Sequence, residues 1–164
     1  MKSLKRRVDV FRENILRVEK PSLLIDTTFL LPALGVEIEE EAMNVIRYFD
    51  KFKIYYTRFG LLEAMWKIIG IVPKKYLDRI RIGLEAIKNT YYLLETPVEA
   101  YIEAYKILSE GHRDYIDALY YGVSQSTKTP FLTIDHEFID FLEKHGYDIS
   151  LIYTPQRTIE TMKS

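Results

Sequence analysis

The sequence predicts an α/β fold, a three-layer α/β/α sandwich with a mainly parallel central sheet. Short apolar runs alternate along the chain with longer segments of helical periodicity, which is the pattern of a layered α/β protein. The apolar runs have no polar face, as expected for parallel strands that helices cover on both sides. Glycine and proline lie mostly at the joints between these segments.

Five short segments rich in β-branched, aliphatic and aromatic residues are predicted as strands. In chain order they are residues 22–25, 53–57, 91–94, 131–134 and 149–153. Each is short and bounded by polar or turn-forming residues, so a buried strand is favoured over a helix.

Apolar residues at helical spacing predict the helices that connect these strands. Pro73 is suited to open one of them, and Gly111 and Gly146 mark places where helical patterns stop. The predicted helices are residues 39–49, 61–69, 74–88, 97–108, 114–124 and 137–144.

The composition bounds the class of protein. With 164 residues, 48% of them hydrophobic, the chain is long enough for one domain with a real core. It contains no cysteine, which excludes disulfides, zinc–thiolate sites and thiol catalysis. No apolar stretch approaches the roughly 18 residues of a membrane span, and the charged N-terminus lacks the apolar centre of a secretion signal. We therefore expect a cytoplasmic protein.

Residues 1–20 are predicted to form a basic, amphipathic N-terminal helical extension. They carry seven basic and three acidic side chains, whereas the rest of the chain carries 16 basic and 21 acidic ones. Such an arm either packs its apolar stripe on the domain or attracts a polyanion, and the two roles are compatible. Residues 21–154 are predicted to be the main domain and residues 155–164 a C-terminal tail.

Four carboxylates lie where a solvated charge is not expected: Asp26, Glu63, Asp117 and Asp135. Two of them end predicted strands, and two are embedded in apolar helical sequence. Because ligands of open α/β sheets bind outside the carboxyl ends of strands, Asp26 and Asp135 are expected to share a site. Converging carboxylates repel one another, and divalent cations usually hold them together. The pattern therefore predicts a metal-dependent phosphodiesterase.

Each carboxylate also has a purely structural explanation. The two aspartates that end strands are placed to cap the helices that follow. Glu63 can pair with Lys67 one turn along its helix. Asp114, three residues before Asp117, can cap the helix whose first turn tolerates Asp117. The hypothesis of a site depends on the joint pattern rather than on any one residue.

The sequence resembles the PIN-domain nucleases, the family that includes the VapC toxins of bacterial and archaeal toxin–antitoxin pairs. Four segments carry the resemblance in the family's order, between residues 22 and 153. They are the apolar strand with Asp26-Thr27-Thr28, then Leu61-Leu62-Glu63-Ala64, then Asp117-Ala118-Leu119 with Gly122 and Ser124, and last Thr133-Ile134-Asp135-His136-Glu137-Phe138. Residues 1–20 lie outside the family's core, and the segment between Glu63 and Asp117 is longer than in compact members.

The resemblance implies a Mg²⁺- or Mn²⁺-dependent endoribonuclease that leaves 5′-phosphate and 3′-hydroxyl ends. It implies that one or two ions bind to the catalytic residues Asp26, Glu63, Asp117 and Asp135. The auxiliary residues would be Asp114, Thr133 and Thr28, and the candidates for binding RNA phosphates are Arg58, Lys67 and Arg113. The resemblance also suggests a homodimer and an antitoxin protein as a possible partner. The lack of a long apolar stretch predicts no membrane association.

Three functions stay open on the sequence alone. The first is an active ribonuclease, either free-standing or the toxin of an antitoxin pair. The second is a PIN-like domain that binds RNA or protein without cutting. The third, a hydrolase of small phosphate esters, is disfavoured because no second aspartate follows Asp26 two positions later.

Several other side chains have two predicted roles. Tyr55, Tyr56, Tyr120 and Tyr121 are candidates for base stacking or for core packing. Tyr101 and Tyr105 are candidates for a dimer interface or for the core. The three histidines, His112, His136 and His145, are expected at the surface.

Overall fold

The computed structural model describes residues 7–9 and 19–164. Of the extension predicted at residues 1–20, residues 1–6 and 10–18 therefore lie outside the described residues. Within the described ranges, no helix is long and apolar enough to cross a membrane.

A parallel sheet of five strands forms the centre of the described domain. The strands are β1 (Ser22–Ile25), β2 (Lys53–Tyr56), β3 (Tyr92–Leu93), β4 (Phe131–Leu132) and β5 (Ile152–Tyr153). Their order is β3-β2-β1-β4-β5, and every pairing between neighbours is parallel. The chain first builds outward from β1 to β3 and then returns to place β4 on the other side of β1. The direction of winding therefore changes between β1 and β4.

Seven helices of the described residues surround this sheet. They are α1 (Glu40–Ile46), α2 (Arg58–Ile68), α3 (Leu77–Thr90), α4 (Val98–Ser109), α5 (Tyr115–Thr127), α6 (His136–Lys144) and α7 (Pro155–Lys163). Short 3₁₀ turns occupy Thr27–Leu30, Pro32–Leu34, Phe49–Lys51 and Lys74–Tyr76.

Alternating side chains of the strands divide the core into two layers. Leu23 and Ile25 of β1 pack into a cluster built with α1, α2, α3 and α7. Leu24, between them, packs into a second cluster built with α4, α5 and α6. Because successive strand residues point to opposite faces, one short strand contributes to both layers. The predicted three-layer α/β/α sandwich is confirmed.

Several element boundaries differ from the prediction. The strand predicted over 131–134 ends at Leu132, because Thr133 turns the chain by accepting the backbone N–H of Asp135 at its hydroxyl. Residues 155–164 are more than a tail, since α7 spans most of them. Pro155 lies in its first turn, and the Thr154 side chain accepts the N–H of Arg157, so both standard signals of a helix start are present.

The small residues after Asp117 serve the packing of α5 against α4. A Cβ atom added at Gly122 would lie 2.5 Å from the carbonyl oxygen of Ala100. The hydroxyl of Ser124 is buried and donates to the carbonyl oxygen of Thr129. These residues let α5 lie close to its neighbours, which fixes the position of the helix that carries Asp117.

Candidate active site

The change in winding direction places the ends of β1 and β4 side by side. The backbone N–H of Asp26, just after β1, donates to the carbonyl oxygen of Leu132 in β4 at 3.2 Å. The chain leaves β1 toward one face of the sheet and leaves β4 toward the other, where α6 packs. Elements that diverge in this way open a crevice at the carboxyl edge of a parallel sheet.

A cleft of about 140 Å³ lies at this edge, and all four predicted carboxylates line it. The described residues that line it are Asp26, Thr27, Thr28, Glu63, Lys67, Asp114, Asp117, Tyr120, Ile134 and Asp135. Residues from β1, α2, α5 and the segment after β4 thus meet in one place. The folded chain brings together acidic side chains that are up to 109 positions apart in the sequence.

Asp26 is both a cap and a lining residue. Its Oδ1 accepts the N–H of Thr28 at 2.8 Å, which fixes the carboxylate at the start of the first 3₁₀ turn. Burial raises its pKa to about 6, although hydrogen bonds from Thr133 and Thr28 and the charge of Lys67 act in the opposite direction. Thr133 is therefore a direct neighbour of the acidic group, although it does not line the cleft.

Asp114 and Asp117 lie together at the start of α5. Asp114 Oδ1 accepts the N–H groups of Ile116 at 2.8 Å and Asp117 at 3.2 Å, so it caps the helix. The pKa of Asp117 is raised to about 8, first by burial and then by the negative charges of Asp114, Asp135 and Asp26. A carboxyl pKa is raised in this way when several carboxylates are crowded at one partly buried site.

Glu63 and Asp135 complete the acidic lining. Glu63 Oε1 lies 3.2 Å from Nζ of Lys67, and both side chains line the cleft. Asp135 Oδ1 accepts the N–H of Phe138 at 3.0 Å and caps α6. The structural and functional explanations of these residues are thus compatible, because each bond that anchors a carboxylate also orients it at the cleft.

The three basic residues predicted to bind phosphate have different surroundings. Lys67 is in the cleft lining. Arg58 lies outside the lining and pairs with Glu95 at 2.9 Å, with both side chains largely exposed. Arg113 is exposed and also lies outside the lining, next to Asp114 in the chain.

Tyr120 supports the floor of the site. Its ring stacks on Phe131 at 4.9 Å between centroids, and its hydroxyl lies 2.9 Å from Oγ1 of Thr27. Gly60 of α2 makes room for it, since a Cβ atom there would lie 2.0 Å from the Tyr120 hydroxyl. Burial raises the pKa of Tyr120 well above its ordinary value, so this phenol stays protonated.

The base-stacking role is wrong for three of the four candidate tyrosines. Tyr56, Tyr120 and Tyr121 are buried, and the hydroxyl of Tyr121 donates to the carbonyl oxygen of Asp148. Their rings are therefore core residues and are not accessible to a nucleobase. Tyr55 is half-buried and lies against Tyr92, with Lys53 over both rings.

His112 is a neighbour of the acidic site that the sequence did not indicate. It was expected at the surface with His136 and His145, which are indeed exposed. The His112 side chain is instead only 15% exposed, and its Nε2 lies 3.3 Å from Oδ2 of Asp117. Burial lowers the pKa of its imidazole. No periodicity in the sequence marks this contact, because His112 lies in the loop before α5.

The atoms that line the cleft are of the kind that a hard divalent cation prefers, since they are carboxylate oxygens with hydroxyl groups nearby. In the described residues, however, no three acidic or histidine side chains lie close enough together to enclose an ion directly. The cleft geometry and the raised pKa of Asp117 nevertheless show that the carboxylates converge. The two observations agree if the carboxylates surround an ion that keeps part of its water shell, as Mg²⁺ usually does.

The PIN domain family model matches residues 23–143, a segment that begins within β1, ends in α6 and contains the five carboxylates of the cleft. The chain belongs to the PIN domain family. No curated protein sequence matches it at a significant level.

Solved structures share the fold of this PIN domain. PAE2754 from Pyrobaculum aerophilum has a TM-score of 0.59 and 16% identity, over 88% of this chain and 98% of that one. VapC20 from Mycobacterium tuberculosis, a sarcin-ricin loop cleaving toxin, has a TM-score of 0.55 and 16% identity, over 77% and 97%. A toxin–antitoxin complex from Klebsiella pneumoniae has a TM-score of 0.55 and 16% identity, over 82% and 98%. At these identities the likeness concerns the fold.

Proposed function

We propose that this PIN domain is an endoribonuclease that depends on Mg²⁺ or Mn²⁺. The observation that carries the proposal is the convergence of Asp26, Glu63, Asp117 and Asp135 on one cleft at the switch point of the sheet. Burying several carboxylates together is costly for a fold unless a cation offsets their repulsion. Membership of the PIN domain family and the fold shared with VapC20, a sarcin-ricin loop cleaving toxin, support the same activity.

In this proposal the four carboxylates hold one or two ions. Bound ions would supply an activated water and stabilise the charge that develops on the leaving oxygen. The chain's own contribution is to orient the ligands: backbone N–H groups hold one oxygen each of Asp26 and Asp135. Asp114 is an auxiliary residue because it holds the backbone N–H of Asp117. Thr28 and Thr133 are auxiliary because hydrogen bonds from both reach Asp26.

Substrate binding is expected to depend on the cation. Among the described residues, five carboxylates and one basic side chain, Lys67, line the cleft, so these residues by themselves repel RNA phosphates. Lys67 is the proposed phosphate contact closest to the chemistry. Arg58 and Arg113 are proposed as contacts outside the cleft, and Arg58 would have to exchange its partner Glu95 for a phosphate.

We further propose that the protein is the toxin of a VapBC-type pair, that an antitoxin protein is its partner, and that it forms a homodimer. One face of α4 supports the homodimer. Tyr101 and Tyr105 are exposed, so they are not core residues, which was one of the two roles left open for them. With Val98 and Ile102 they form an exposed stripe at helical spacing, and such apolar faces usually mark an interface.

A PIN-like domain that binds RNA or protein without cutting is the second candidate. The observation that favours it is that no three acidic or histidine side chains of the described ranges are close enough to enclose a metal ion directly. An RNA cleavage assay separates the two candidates.

The test is cleavage of an end-labelled, mixed-sequence single-stranded RNA in Mg²⁺, in Mn²⁺ and in EDTA. Wild type is compared with Asp26→Asn, and with Asp140→Asn as a control at an exposed carboxylate of α6. We expect cleavage that requires the metal, disappears in Asp26→Asn and persists in Asp140→Asn, with 5′-phosphate products. Binding of RNA without cleavage by any of the three proteins would favour the non-cutting domain. Cleavage that continues in EDTA would contradict the proposal.

A further inference from the structure

His112 contacts Asp117 from outside the cleft. Its ring does not line the cleft, but its Nε2 lies 3.3 Å from Oδ2 of Asp117, and the two side chains are 15% and 25% exposed. The contact joins the loop before α5 to a carboxylate in the first turn of α5. A histidine that reaches a buried carboxylate in this way restricts the rotation of the carboxylate group.

The imidazole is itself held in place by α6. The ring centroid of His112 lies 4.7 Å from that of Phe138 and 5.1 Å from that of Phe141. Phe138 is also the residue whose N–H binds Asp135. One turn of α6 therefore supports both Asp135 and the histidine that contacts Asp117, which couples the positions of the two carboxylates.

The loop that presents His112 is also defined. Gly111 has a φ of +111°, a left-handed conformation that favours glycine, and this residue turns the chain after α4. The N–H of His112 then donates to the carbonyl oxygen of Ile107 at 3.4 Å. The backbone and the ring of His112 are thus both held, as expected of a residue with a geometric task.

We propose that His112 is a positioning residue that donates a hydrogen bond from Nε2 to Oδ2 of Asp117 and aims this carboxylate into the cleft. When Asp117 is ionised, as it would be when it binds a cation, its carboxylate has only acceptors, and the imidazole is then the donor. Asp114 holds the backbone of Asp117, whereas His112 holds its carboxylate. The inference rests on the proposed metal-binding role of Asp117. Outer partners of this kind orient metal ligands and tune the affinity of a site.

Two variants separate the hydrogen bond from the packing. His112→Gln keeps an N–H donor at about the reach of Nε2 and loses the ring, whereas His112→Leu keeps an apolar side chain between the phenylalanines and loses the donor. His145→Leu is the matched control, because His145 is exposed and stacks on Phe141 with centroids 4.0 Å apart. The measurements are Mn²⁺ affinity by calorimetry without RNA, the unfolding midpoint in EDTA, and kcat and KM for RNA.

We expect His112→Leu to bind Mn²⁺ about 10-fold more weakly than wild type, at the lower end of the range for outer partners of metal ligands. Its kcat should fall more than its KM changes, while His112→Gln and His145→Leu stay close to wild type. Equal Mn²⁺ affinity in all four proteins would overturn the proposal. A larger loss of affinity in His112→Gln than in His112→Leu would also overturn it, because packing would then be the role of the ring.

Calorimetry without RNA measures Mn²⁺ affinity alone, so it tests the role of His112 separately from the proposed ribonuclease activity. If wild type binds Mn²⁺ but cuts no RNA, the ribonuclease proposal fails, and the affinities of the variants still decide the role of His112. If wild type binds no Mn²⁺, the inference fails as well. If cleavage requires metal but His112→Leu equals wild type in affinity and kcat, the inference alone fails.

Discussion

Replacing Asp117 by asparagine should stabilise the folded protein in the absence of divalent cations while abolishing the proposed metal-dependent cleavage of RNA. Burial and three neighbouring carboxylates raise the pKa of Asp117 to about 8. The ionised side chain is therefore unfavourable in the folded protein. Asparagine has nearly the same shape and carries no charge, so the substitution removes the repulsion and preserves the packing.

The magnitude follows from the difference between the folded pKa of about 8 and the ordinary value of 3.8. Each pKa unit corresponds to about 1.4 kcal/mol, so complete conversion would give an upper limit of about 6 kcal/mol. In the folded protein the Asp117 side chain is 25% exposed, so solvent screens part of the repulsion. Asparagine also alters the contact with His112. We therefore expect a net gain of about 1–3 kcal/mol in the free energy of unfolding, which raises the midpoint by about 2–4 °C per kcal/mol in a domain of this size.

The pH dependence has a definite sign. Between pH 4 and pH 8 the folded protein holds a proton on Asp117 that the unfolded chain has released, so the stability of wild type falls as the pH rises. The asparagine variant lacks this contribution, and its advantage should grow from pH 5 to pH 8.5. Asp26, with a pKa raised to about 6, contributes to the pH dependence of both proteins.

The assay is thermal unfolding in EDTA at pH 5, 7 and 8.5, repeated with Mn²⁺ at pH 7. Asp140→Asn, at an exposed position of α6, is the control and should change the midpoint little at any pH. Addition of Mn²⁺ should raise the midpoint of wild type more than that of Asp117→Asn, because only ligands that bind the folded state stabilise it. Destabilisation by Asp117→Asn at pH 8.5, or an advantage that does not grow with pH, would refute the reasoning.

Three other substitutions test other parts of the structure. Gly60→Ala should cost about 1–3 kcal/mol in urea unfolding, since its Cβ would lie 2.0 Å from the Tyr120 hydroxyl. Adding Tyr120→Phe to this variant should recover part of the loss. The control is Gly70→Ala, whose Cβ would meet no atom within 4 Å and which should be neutral. Equal losses of stability at both glycines would contradict this explanation. Thr133→Val should lower RNA cleavage with a change in stability of about 1 kcal/mol, because it removes the hydroxyl that binds the N–H of Asp135; unchanged cleavage would speak against an auxiliary role. Tyr105→Glu should convert a dimer into a monomer in light scattering; a wild type that is already monomeric at micromolar concentration would exclude the proposed interface.

Much of the local structure was predictable because it depends on neighbours in the chain. The apolar runs indicated all five strands, and the caps by Asp26 and Asp135 follow from an aspartate that stands between a strand and a helix. The pairing of Glu63 with Lys67 follows from a spacing of four residues on a helix. The lengths were less predictable, because a strand ends where a turn competes with the sheet, as it does at Thr133.

Contacts between distant segments explain what the sequence left open or indicated wrongly. His112 looked like a surface residue, because its position on a loop says nothing about the two phenylalanines of α6 that enclose it. The sequence allowed Tyr120 either to stack on a nucleobase or to pack in the core. Its contacts with Gly60 of α2 and Phe131 of β4 place it in the core. Among the predicted phosphate contacts, only the fold showed that Lys67 lines the cleft and that Arg58 pairs with Glu95.

By itself, the sequence determined the fold class, the four candidate carboxylates and the bonds that anchor Asp26, Glu63 and Asp135, because periodicity and capping act over a few residues. The tertiary structure decided that β1 and β4 are neighbours, that the carboxylates share one cleft, and that the pKa of Asp117 rises to about 8. These properties arise from burial and from charges that are close in space. Both depend on which distant segments the fold places side by side, and neither depends only on neighbours along the chain.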